Sequence, residues 1–292
     1  MSHAFLIAGS SGMLGTALQG VLAKRGESVS APLEREFDIT DPVVVRRQVS
    51  EFARGLSGDE RGVLINAAAY TNVEGAEEND DVAHLVNAHG PALLARNALE
   101  HDLVFVHVST DFVFDGRKVG AYTEADETNP LSVYGLSKLA GEVAVAQEYP
   151  EAIIARTAWV YGPAGANFPL KIVAAARTRP MLTVVTDEVG SPTYTPDMAE
   201  GLLGLVEAGA AGLFHLAGSG SCSRFELAVE VLSLAGLSSV RLEPVTSDAF
   251  PTVAARPQNS VLDCSKAAAM GVTMPPWSDA LVRFAQSGAL AG

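Results

Sequence analysis

A tyrosine and a lysine, Tyr134 and Lys138, lie four residues apart in the stretch VYGLSKLAGE. On a helix, side chains at this spacing share one face. An ammonium group beside a phenol favours the ionised phenolate, so the pair could transfer a proton near neutral pH. Y-x-x-x-K by itself is a weak signal, because an exposed helix face produces the same pattern. The pair needs supporting residues before it indicates catalysis.

Such residues follow the predicted strand LVFVHVS, whose carboxyl end carries Ser109, Thr110 and Asp111. In a parallel sheet, ligands bind beyond the carboxyl ends of the strands. Transfer of a hydride to a ketone leaves negative charge on oxygen, which one acid must protonate and a second donor should hold. We predict Tyr134 as the acid and Thr110 as the second donor. Lys138 is predicted to lower the pKa of the phenol and to hydrogen-bond the ribose of a nicotinamide cofactor.

These side chains must be positioned by strands and helices that alternate along the first half of the chain. The predicted strands are residues 4–9, 62–69, 103–109 and 152–160, and the predicted helices are residues 16–26, 41–55, 80–102 and 133–149. Gly26 is predicted to end the first helix, and Asp41 with Pro42 to begin the second. The alternation predicts an α/β fold: a Rossmann-type doubly wound parallel sheet in a dinucleotide-binding domain, residues 1–160. Residues 161–292 are predicted to form mainly a smaller C-terminal α/β substrate-binding domain, with some later segments returning to the first.

A glycine-rich loop, GSSGMLG, separates the first predicted strand from the first predicted helix and places glycines at positions 9, 12 and 15. At this point Gly9, Gly12 and Gly15 would permit a tight turn and bring backbone N–H groups close to a pyrophosphate. The spacing differs by one residue from G-x-G-x-x-G, and a plain tight turn is the alternative. The position after a buried strand favours dinucleotide binding.

The stretch SAPLEREFDIT is expected at the adenosine end of that cofactor. Glu34 could accept a hydrogen bond from a ribose 2′-hydroxyl, whereas Arg35 could hold a 2′-phosphate. The first residue favours NADH and the second favours NADPH, which we take as the expected cofactor, with NADH as the alternative. Asp38 and Ile39 could flank the adenine, or could simply lead into the next helix.

Composition narrows the classes of partner. The formal net charge of −14 argues against nucleic acid and against anionic membranes. The chain contains 2 cysteines, which form no metal motif and indicate no disulfide framework. Its apolar runs are too short for a signal peptide or a membrane span. A cytoplasmic setting is therefore expected.

The motifs together resemble those of the extended short-chain dehydrogenase/reductases and, more narrowly, the dTDP-4-dehydrorhamnose reductase family. The matching stretches are GSSGMLG, FDITD, INAAAYTNVEGAE, VNAHGP, HVSTDFVFDG, NPLSVYGLSKLAGE, RTAWVYGPAGANF, GSPTYTPD and ARPQNSVLD. They extend from residue 9 to about residue 263. The glycine loop is shared by the whole superfamily, whereas the later motifs are more specific.

The resemblance implies reduction of the C4 ketone of a dTDP-4-keto-6-deoxy sugar, with Tyr134 as proton donor, Lys138 as its partner, and Thr110 and Asp111 at the sugar oxygen. It implies that the cofactor is lined by Gly9, Gly12, Met13, Leu14, Gly15, Arg35, Asp38, Ile39, Ala67, Ala68, Ala69, Thr71, Asn87, Ser109, Tyr134 and Lys138. It also implies that the substrate is bound by Thr110, Asp111, Trp159, Asn167, Arg256 and Asn259. By residue type alone, Trp159 could equally be a core aromatic and Arg256 a solvated surface side chain.

Some members of the family dimerise through a metal that acidic residues bind, one of them early in the helix after the glycine loop. Here that helix begins TALQG and has no acidic residue there. We therefore expect no metal and a monomer or a homodimer, and a metal-bridged dimer is disfavoured.

Other functions share some of these features. Nucleotide-sugar 4,6-dehydratases carry Asp-Glu after the strand-end threonine, but Phe112 follows Asp111 here. A reductase of another dTDP-4-keto deoxysugar would share these motifs. A non-catalytic regulatory subunit, like that of methionine adenosyltransferase, could retain Tyr134 and Lys138 and act by binding a partner enzyme.

Overall fold

The computed structural model describes residues 2–291. Its strands are β1 Ser2–Ala8, β2 Ser28–Ser30, β3 Glu60–Asn66, β4 Val104–Thr110, β5 Ile153–Thr157, β6 Val160–Tyr161, β7 Met181–Val185, β8 Val189–Gly190, β9 Thr193–Tyr194, β10 Gly212–His215, β11 Cys222–Ser223, β12 Arg241–Val245 and β13 Asn259–Ser260. Its α-helices are α1 Met13–Arg25, α2 Pro42–Gly55, α3 Val73–Ala76, α4 Asp80–His84, α5 Gly90–Glu100, α6 Val133–Glu148, α7 Phe168–Ala176, α8 Thr195–Glu207, α9 Arg224–Leu234, α10 Ser265–Ala269 and α11 Trp277–Gln286.

The main sheet has 6 strands in the order β10-β5-β4-β3-β1-β2. All of its neighbouring strands pair in parallel. The chain leaves β1 toward β2 on one side and returns to β3 on the other, so the strand order reverses beside β1. A crevice at the carboxyl ends of the strands is expected at such a reversal. The predicted doubly wound parallel sheet is confirmed.

The helix ends near this crevice follow from local sequence. Gly12 caps α1 at its beginning, and Gly26 ends the helix in the left-handed conformation at φ 73°. The Asp41 carboxylate accepts hydrogen bonds from the backbone of Val43 and Val44 at 2.8 and 3.3 Å, and Pro42 occupies the first turn of α2. The predicted ends at Gly26 and Asp41 are confirmed, whereas α1 begins three residues earlier than predicted.

Two predicted elements are interrupted. The helix predicted at residues 80–102 consists of α4, a π-helical turn at Leu85–His89, and α5. The strand predicted at residues 152–160 ends at Thr157, because Trp159 takes a left-handed backbone conformation with φ 46°. That turn moves Trp159 out of the sheet, although its neighbours have strand-forming residue types.

Alternating side chains of the strands build a hydrophobic core on each face of the sheet. Phe5 and Ile7 of β1 pack with α1 and α8 on one face. Leu6 and Ala8 of the same strand pack with α2, α5 and α6 on the other. Burial on both faces explains the continuous apolar runs that mark these strands.

The second half of the chain contributes to two cores. Side chains of α7, α9 and α11 pack with Tyr161 and Tyr194 in a separate cluster. However, β10 pairs with β5 at the edge of the main sheet, and α8 packs with α1. Residues 195–215 thus return to the layer that the first half builds.

Two kinds of feature are not seen within residues 2–291. No helix in this part of the chain combines the length and the apolar character that a membrane crossing requires. No three His, Cys, Asp or Glu side chains of these residues are grouped as metal ligands would be. The absence of a metal in the functional protein stays a prediction.

Close packing of α6 on the π turn predicts opposite effects for two glycine substitutions. A Cβ on Gly141 would collide with the backbone oxygen of Asn87, whereas Gly20 is exposed in the middle of α1 with open space around it. We expect Gly141→Ala to lower the free energy of unfolding by about 1–3 kcal/mol through overpacking. Gly20→Ala should raise it by about 0.5–1 kcal/mol through helix propensity.

Urea unfolding followed by circular dichroism measures both effects. A stabilised Gly141→Ala protein would show that α6 does not need this close approach.

Candidate active site

A cavity of about 760 Å³ opens at the carboxyl ends of the main-sheet strands. Its wall contains the following predicted site residues: Gly9, Gly12, Met13, Leu14, Asp38, Ile39, Ala67, Ala68, Ala69, Thr71, Ser109, Thr110, Asp111, Tyr134, Lys138 and Trp159. The wall does not include Gly15, Arg35, Asn87, Asn167, Arg256 or Asn259. Most of the predicted residues are therefore brought together around one space.

The glycine loop forms the cofactor end of this wall. Gly9 has φ 79°, and a Cβ on it would collide with the backbone of Ala67 and Ala68 at the end of β3. A Cβ on Gly15 would collide with the Gly9 oxygen, so Gly15 permits close packing without facing the cavity. The Gly12 N–H donates to the Gly9 oxygen at 3.1 Å and closes the turn. The first N–H groups of α1, from Met13 onward, have no partner within the helix, so this helix end favours an anion.

In the region expected to bind adenosine, Glu34 and Arg35, which favour different cofactors, lie in different places. Glu34 lines the cavity beside Asp38 and Ile39. Arg35 lies outside the wall, with its side chain 78% exposed and its Nε 3.9 Å from a carboxylate oxygen of Glu36. Thr40 donates two hydrogen bonds to one oxygen of Asp38, which fixes the loop that leads into α2.

Asn87 lies behind the wall and is fully buried. Its side-chain oxygen accepts from the backbone of Tyr70 at 2.8 Å, and its amide donates to the Tyr70 oxygen and to the Ser137 hydroxyl. These bonds tie the π turn to α6 and to the loop after β3. A contact of Asn87 with the cofactor stays a prediction.

The ends of β4 and α6 meet at the predicted catalytic residues. Ser132 caps α6 by accepting from the backbone of Gly135, which begins the helix that carries Tyr134 and Lys138. The Tyr134 ring contacts Phe112 edge to face with ring centres 5.4 Å apart. The Lys138 ammonium donates to the Val108 backbone oxygen of β4 at 2.7 Å. The predicted lowering of the Tyr134 pKa by Lys138 is therefore wrong for this structure, because burial raises that pKa instead.

Burial sets the protonation states of this pair. It raises the pKa of Tyr134 to about 12, although the Thr110 hydroxyl opposes the rise. It lowers the pKa of Lys138 to about 8, although the charge of Glu142 opposes the fall. The phenol therefore keeps its proton at neutral pH, as a proton donor must. The Lys138 ammonium begins to lose its proton just above neutral pH, because its pKa is about 8.

A buried ion pair fixes α6 to the sheet below these groups. The Arg156 guanidinium of β5 donates two hydrogen bonds to Glu142 of α6, at 2.9 and 2.7 Å. The Ser109 hydroxyl of β4 donates to the same carboxylate at 2.5 Å. The Arg156 and Glu142 side chains are only 4% and 7% exposed, so partnered hydrogen bonds are needed to offset their desolvation.

Asp111 is a buried carboxyl group at the same end of β4 and accepts a hydrogen bond from the Thr110 hydroxyl at 2.9 Å. Burial raises its pKa to about 6, although Ser260, Thr110 and the charge of Arg224 oppose the rise. Asp111 therefore binds a proton more readily than an exposed aspartate. Its charge also opposes ionisation of Tyr134, because it raises the pKa of that phenol.

The residues expected at the substrate separate into two groups. Trp159 lines the cavity. Asn167 is buried, caps α7 and donates to the Gly162 oxygen. Arg256 pairs with Glu74 at 2.7 Å, and Asn259 donates to the backbone oxygens of two residues in the 118–120 loop. Substrate contacts of Asn167, Arg256 and Asn259 stay predictions.

Several residues of the wall were missed by sequence reasoning, including Phe37, Val73, Met198 and Arg224. Arg224 is the first residue of α9, where Ser223 and Glu226 form a capping box. That motif could have predicted a helix beginning at Arg224. It could not have predicted that this end of the helix faces the cavity.

The raised pKa of Asp111 predicts a pH-dependent gain in stability for Asp111→Asn. Between about pH 4 and pH 6 the folded state keeps a proton that the unfolded state loses, so this group makes the wild type less stable as pH rises. Above about pH 6 the whole penalty is present. We expect the stability difference, variant minus wild type, to be about 1 kcal/mol larger at pH 7.5 than at pH 5.

Urea unfolding at the two pH values measures this difference. Asp59→Asn at an exposed position is the control and should show the same difference at both. An unchanged difference for Asp111→Asn would contradict the raised pKa.

Comparison with known proteins gives consistent relatives. The family model described as the RmlD substrate binding domain matches residues 3–289. A dTDP-4-dehydrorhamnose reductase of Mycobacterium tuberculosis H37Rv is 42% identical over 287 residues, covering 96% of this chain and 91% of the relative. A dTDP-4-keto-6-deoxy-D-glucose reductase of Streptomyces niveus is 36% identical, covering 97% and 96%.

Among solved structures, the dTDP-4-dehydrorhamnose reductase of Bacillus anthracis in complex with NADP is 33% identical, with a TM-score of 0.92. The alignment covers 98% of this chain and 100% of that one. The matches extend over the sheet, the cavity and the second half of the chain together. The chain belongs to the RmlD family, that of the dTDP-4-dehydrorhamnose reductases.

Proposed function

We propose that this protein reduces the C4 ketone of dTDP-4-dehydro-L-rhamnose with NADPH, yielding dTDP-L-rhamnose. The observation that carries the proposal is the convergence of Thr110, Tyr134 and Lys138 on one cavity with the glycine loop. The relatives named above support the same reaction class, since they are named as reductases of dTDP-keto sugars. The indication for NADPH is the relative that binds NADP.

The cavity fits a dinucleotide at its glycine-loop end. The space that side chains at positions 9 and 15 would need is filled by backbone, so the loop lies close to β3. Gly12, Met13 and Leu14 would hold the pyrophosphate at the beginning of α1. Glu34, Asp38 and the alanines after β3 would line the adenosine half. The bound cofactor would supply a hydride.

Tyr134 would deliver the proton to the oxygen that hydride transfer leaves charged. Its phenol is protonated at neutral pH, and Lys138, whose pKa is about 8, can return a proton to the phenolate afterwards. Thr110 would hold the substrate oxygen. Its hydroxyl points to Asp111 in this structure, so it must rotate to donate to a ketone.

Replacing the proton donor should abolish most turnover. We expect Tyr134→Phe to lower kcat on the order of 100-fold or more, because the variant lacks the hydroxyl proposed to protonate the alkoxide. Loss of absorbance at the NADPH band, with dTDP-4-dehydro-L-rhamnose as substrate, measures the rate.

The matched control for this variant is Tyr161→Phe. Tyr161 is buried against Tyr194 and Phe284, lies outside the cavity wall and has a buried hydroxyl without a partner in residues 2–291. We expect this control to keep wild-type kcat. A Tyr134→Phe enzyme with wild-type kcat would remove the proposed role.

Arg35 and Glu34 should set the preference between the two cofactors. Arg35 is exposed, so its guanidinium is free to turn toward a 2′-phosphate. The Glu34 carboxylate in the wall would repel such a phosphate. We expect Arg35→Ala to reduce the ratio of kcat/KM for NADPH to that for NADH on the order of tenfold, through loss of a charge-assisted contact. Glu34→Gln should raise the ratio.

Steady-state kinetics with both cofactors measure this ratio. An unchanged ratio in both variants would mean that other residues recognise the 2′ position.

Two alternatives predict different results. A regulatory subunit would bind cofactor but oxidise no NADPH by itself, so turnover by the purified chain alone separates it from a reductase. A reductase of another dTDP-4-keto deoxysugar, as in the Streptomyces niveus relative, would prefer that sugar in a substrate panel with product identification by NMR.

Free Cys222 and Cys264 are compatible with a cytoplasmic setting, which belongs to this proposal together with a monomeric or homodimeric state.

A further inference from the structure

The cavity contains one aromatic side chain in an unusual backbone conformation. Trp159 has φ 46°, a left-handed conformation that strains a bulky residue and persists only where the surroundings enforce it. It lies just after β5, which runs beside the strand that carries Thr110. Its indole shares the cavity wall with Thr110 and Tyr134. A sugar whose carbonyl faces Tyr134 would therefore be close to this ring.

The indole is confined by its neighbours. The three atoms that a Cβ on Gly190 would meet first all belong to the indole, so the backbone of β8 lies directly against the ring. The Arg224 guanidinium lies over the ring, with its central carbon 3.5 Å from the ring centre. The same guanidinium is 5.1 Å from the Phe168 ring. Stacking of this kind has electrostatic as well as packing components.

Arg224 is itself fixed. Its Nε is 3.4 Å from a carboxylate oxygen of Glu188, and its backbone N–H donates to the Glu188 oxygen at 3.1 Å. Cys222 of β11 pairs with Gly190 of β8, and Arg224 begins α9 directly after β11, so one small sheet holds the neighbours on both sides of the indole close together. The Arg224 side chain is only 20% exposed, and its rotamer freedom is correspondingly small.

We propose that Arg224 is a positioning residue: it fixes the Trp159 indole, and the indole in turn fixes the sugar ring relative to Tyr134. This inference rests on the proposed function. A direct role as an anchor for the substrate diphosphate is less well supported, because two carboxylates already act on the Arg224 charge. Glu188 pairs with the guanidinium, and Asp111 interacts with it electrostatically.

A double-mutant cycle tests this role, because it separates an effect through Trp159 from a direct effect. We expect Arg224→Ala to lower kcat/KM for the keto sugar on the order of tenfold in the wild-type background. In a Trp159→Ala background the same change should cost less than about twofold. Arg224→Lys, which keeps the charge without the planar stack, should recover only part of the loss. Equal effects in both backgrounds would overturn the proposal.

Inhibition by dTDP, which lacks the sugar, distinguishes the two roles of Arg224. We expect the inhibition constant of dTDP to change less than about twofold in Arg224→Ala, because no direct contact is lost. A rise that parallels the loss of kcat/KM would assign Arg224 to the diphosphate and overturn the proposal. Arg283→Ala is the matched control, because Arg283 pairs with Asp197 and stands over Tyr194 outside the cavity. It should keep wild-type kinetics.

Tryptophan fluorescence tests the positioning without any substrate. The difference between spectra of an enzyme and its Trp159→Phe variant isolates the Trp159 emission from that of Trp277. We expect Arg224→Ala to shift this emission to the red and to increase its quenching by acrylamide, because the ring becomes more exposed. Unchanged emission and quenching would overturn the proposal. An inactive wild-type enzyme would refute the proposed function only, since the fluorescence result does not depend on turnover.

Discussion

The catalytic end of this protein depends on the buried ion pair between Arg156 and Glu142. It joins β5 to α6, and the Ser109 hydroxyl adds β4 to the same carboxylate. Burial of two charges costs free energy that only well-formed hydrogen bonds offset, so small displacements of α6 are penalised. The helix that carries the tyrosine and the lysine is thus held in one register against the strand that ends in Thr110. The alignment of Tyr134, the proposed proton donor, with the Thr110 hydroxyl follows from this pair.

A different constraint governs the cofactor end, where the backbone packs against itself. Side chains at positions 9 and 15 are excluded because backbone atoms occupy that space. The resulting turn brings the first N–H groups of α1 to the reversal point of the sheet. At one end, charge and hydrogen bonding fix the geometry, and at the other the absence of side chains does. The cavity between the two ends can therefore hold a cofactor and a substrate side by side in a defined orientation.

Helix ends and the order of strands and helices could be predicted, because they depend on residues close together in the sequence. Asp41 followed by Pro42, and Gly26 after the first predicted helix, mark helix ends through backbone groups within a few residues. Strand–helix alternation likewise revealed the parallel sheet, since each strand is buried on both faces.

What depends on distant contacts could not be predicted. Trp159 lies outside the sheet, where β8 and Arg224 enclose its ring. Both of these neighbours are distant from Trp159 in the sequence. Glu34 lines the cavity and Arg35 next to it lies outside the wall, a difference that residue type alone does not give. Arg224 reaches the cavity only because β11 pairs with β8. Side chains that contact one site from separate elements require the tertiary structure before they can be recognised.

The return of residues 195–215 to the main sheet has a consequence for the order in which the molecule can assemble. The edge strand β10 and the helix α8 that covers α1 are made only after two thirds of the chain. Until then, the parts of α1 and of this sheet face that pack against α8 have no cover. The nucleotide-binding layer is thus not a self-sufficient module that matures first during synthesis. Its completion waits for the second half of the chain, which couples the two halves in biogenesis.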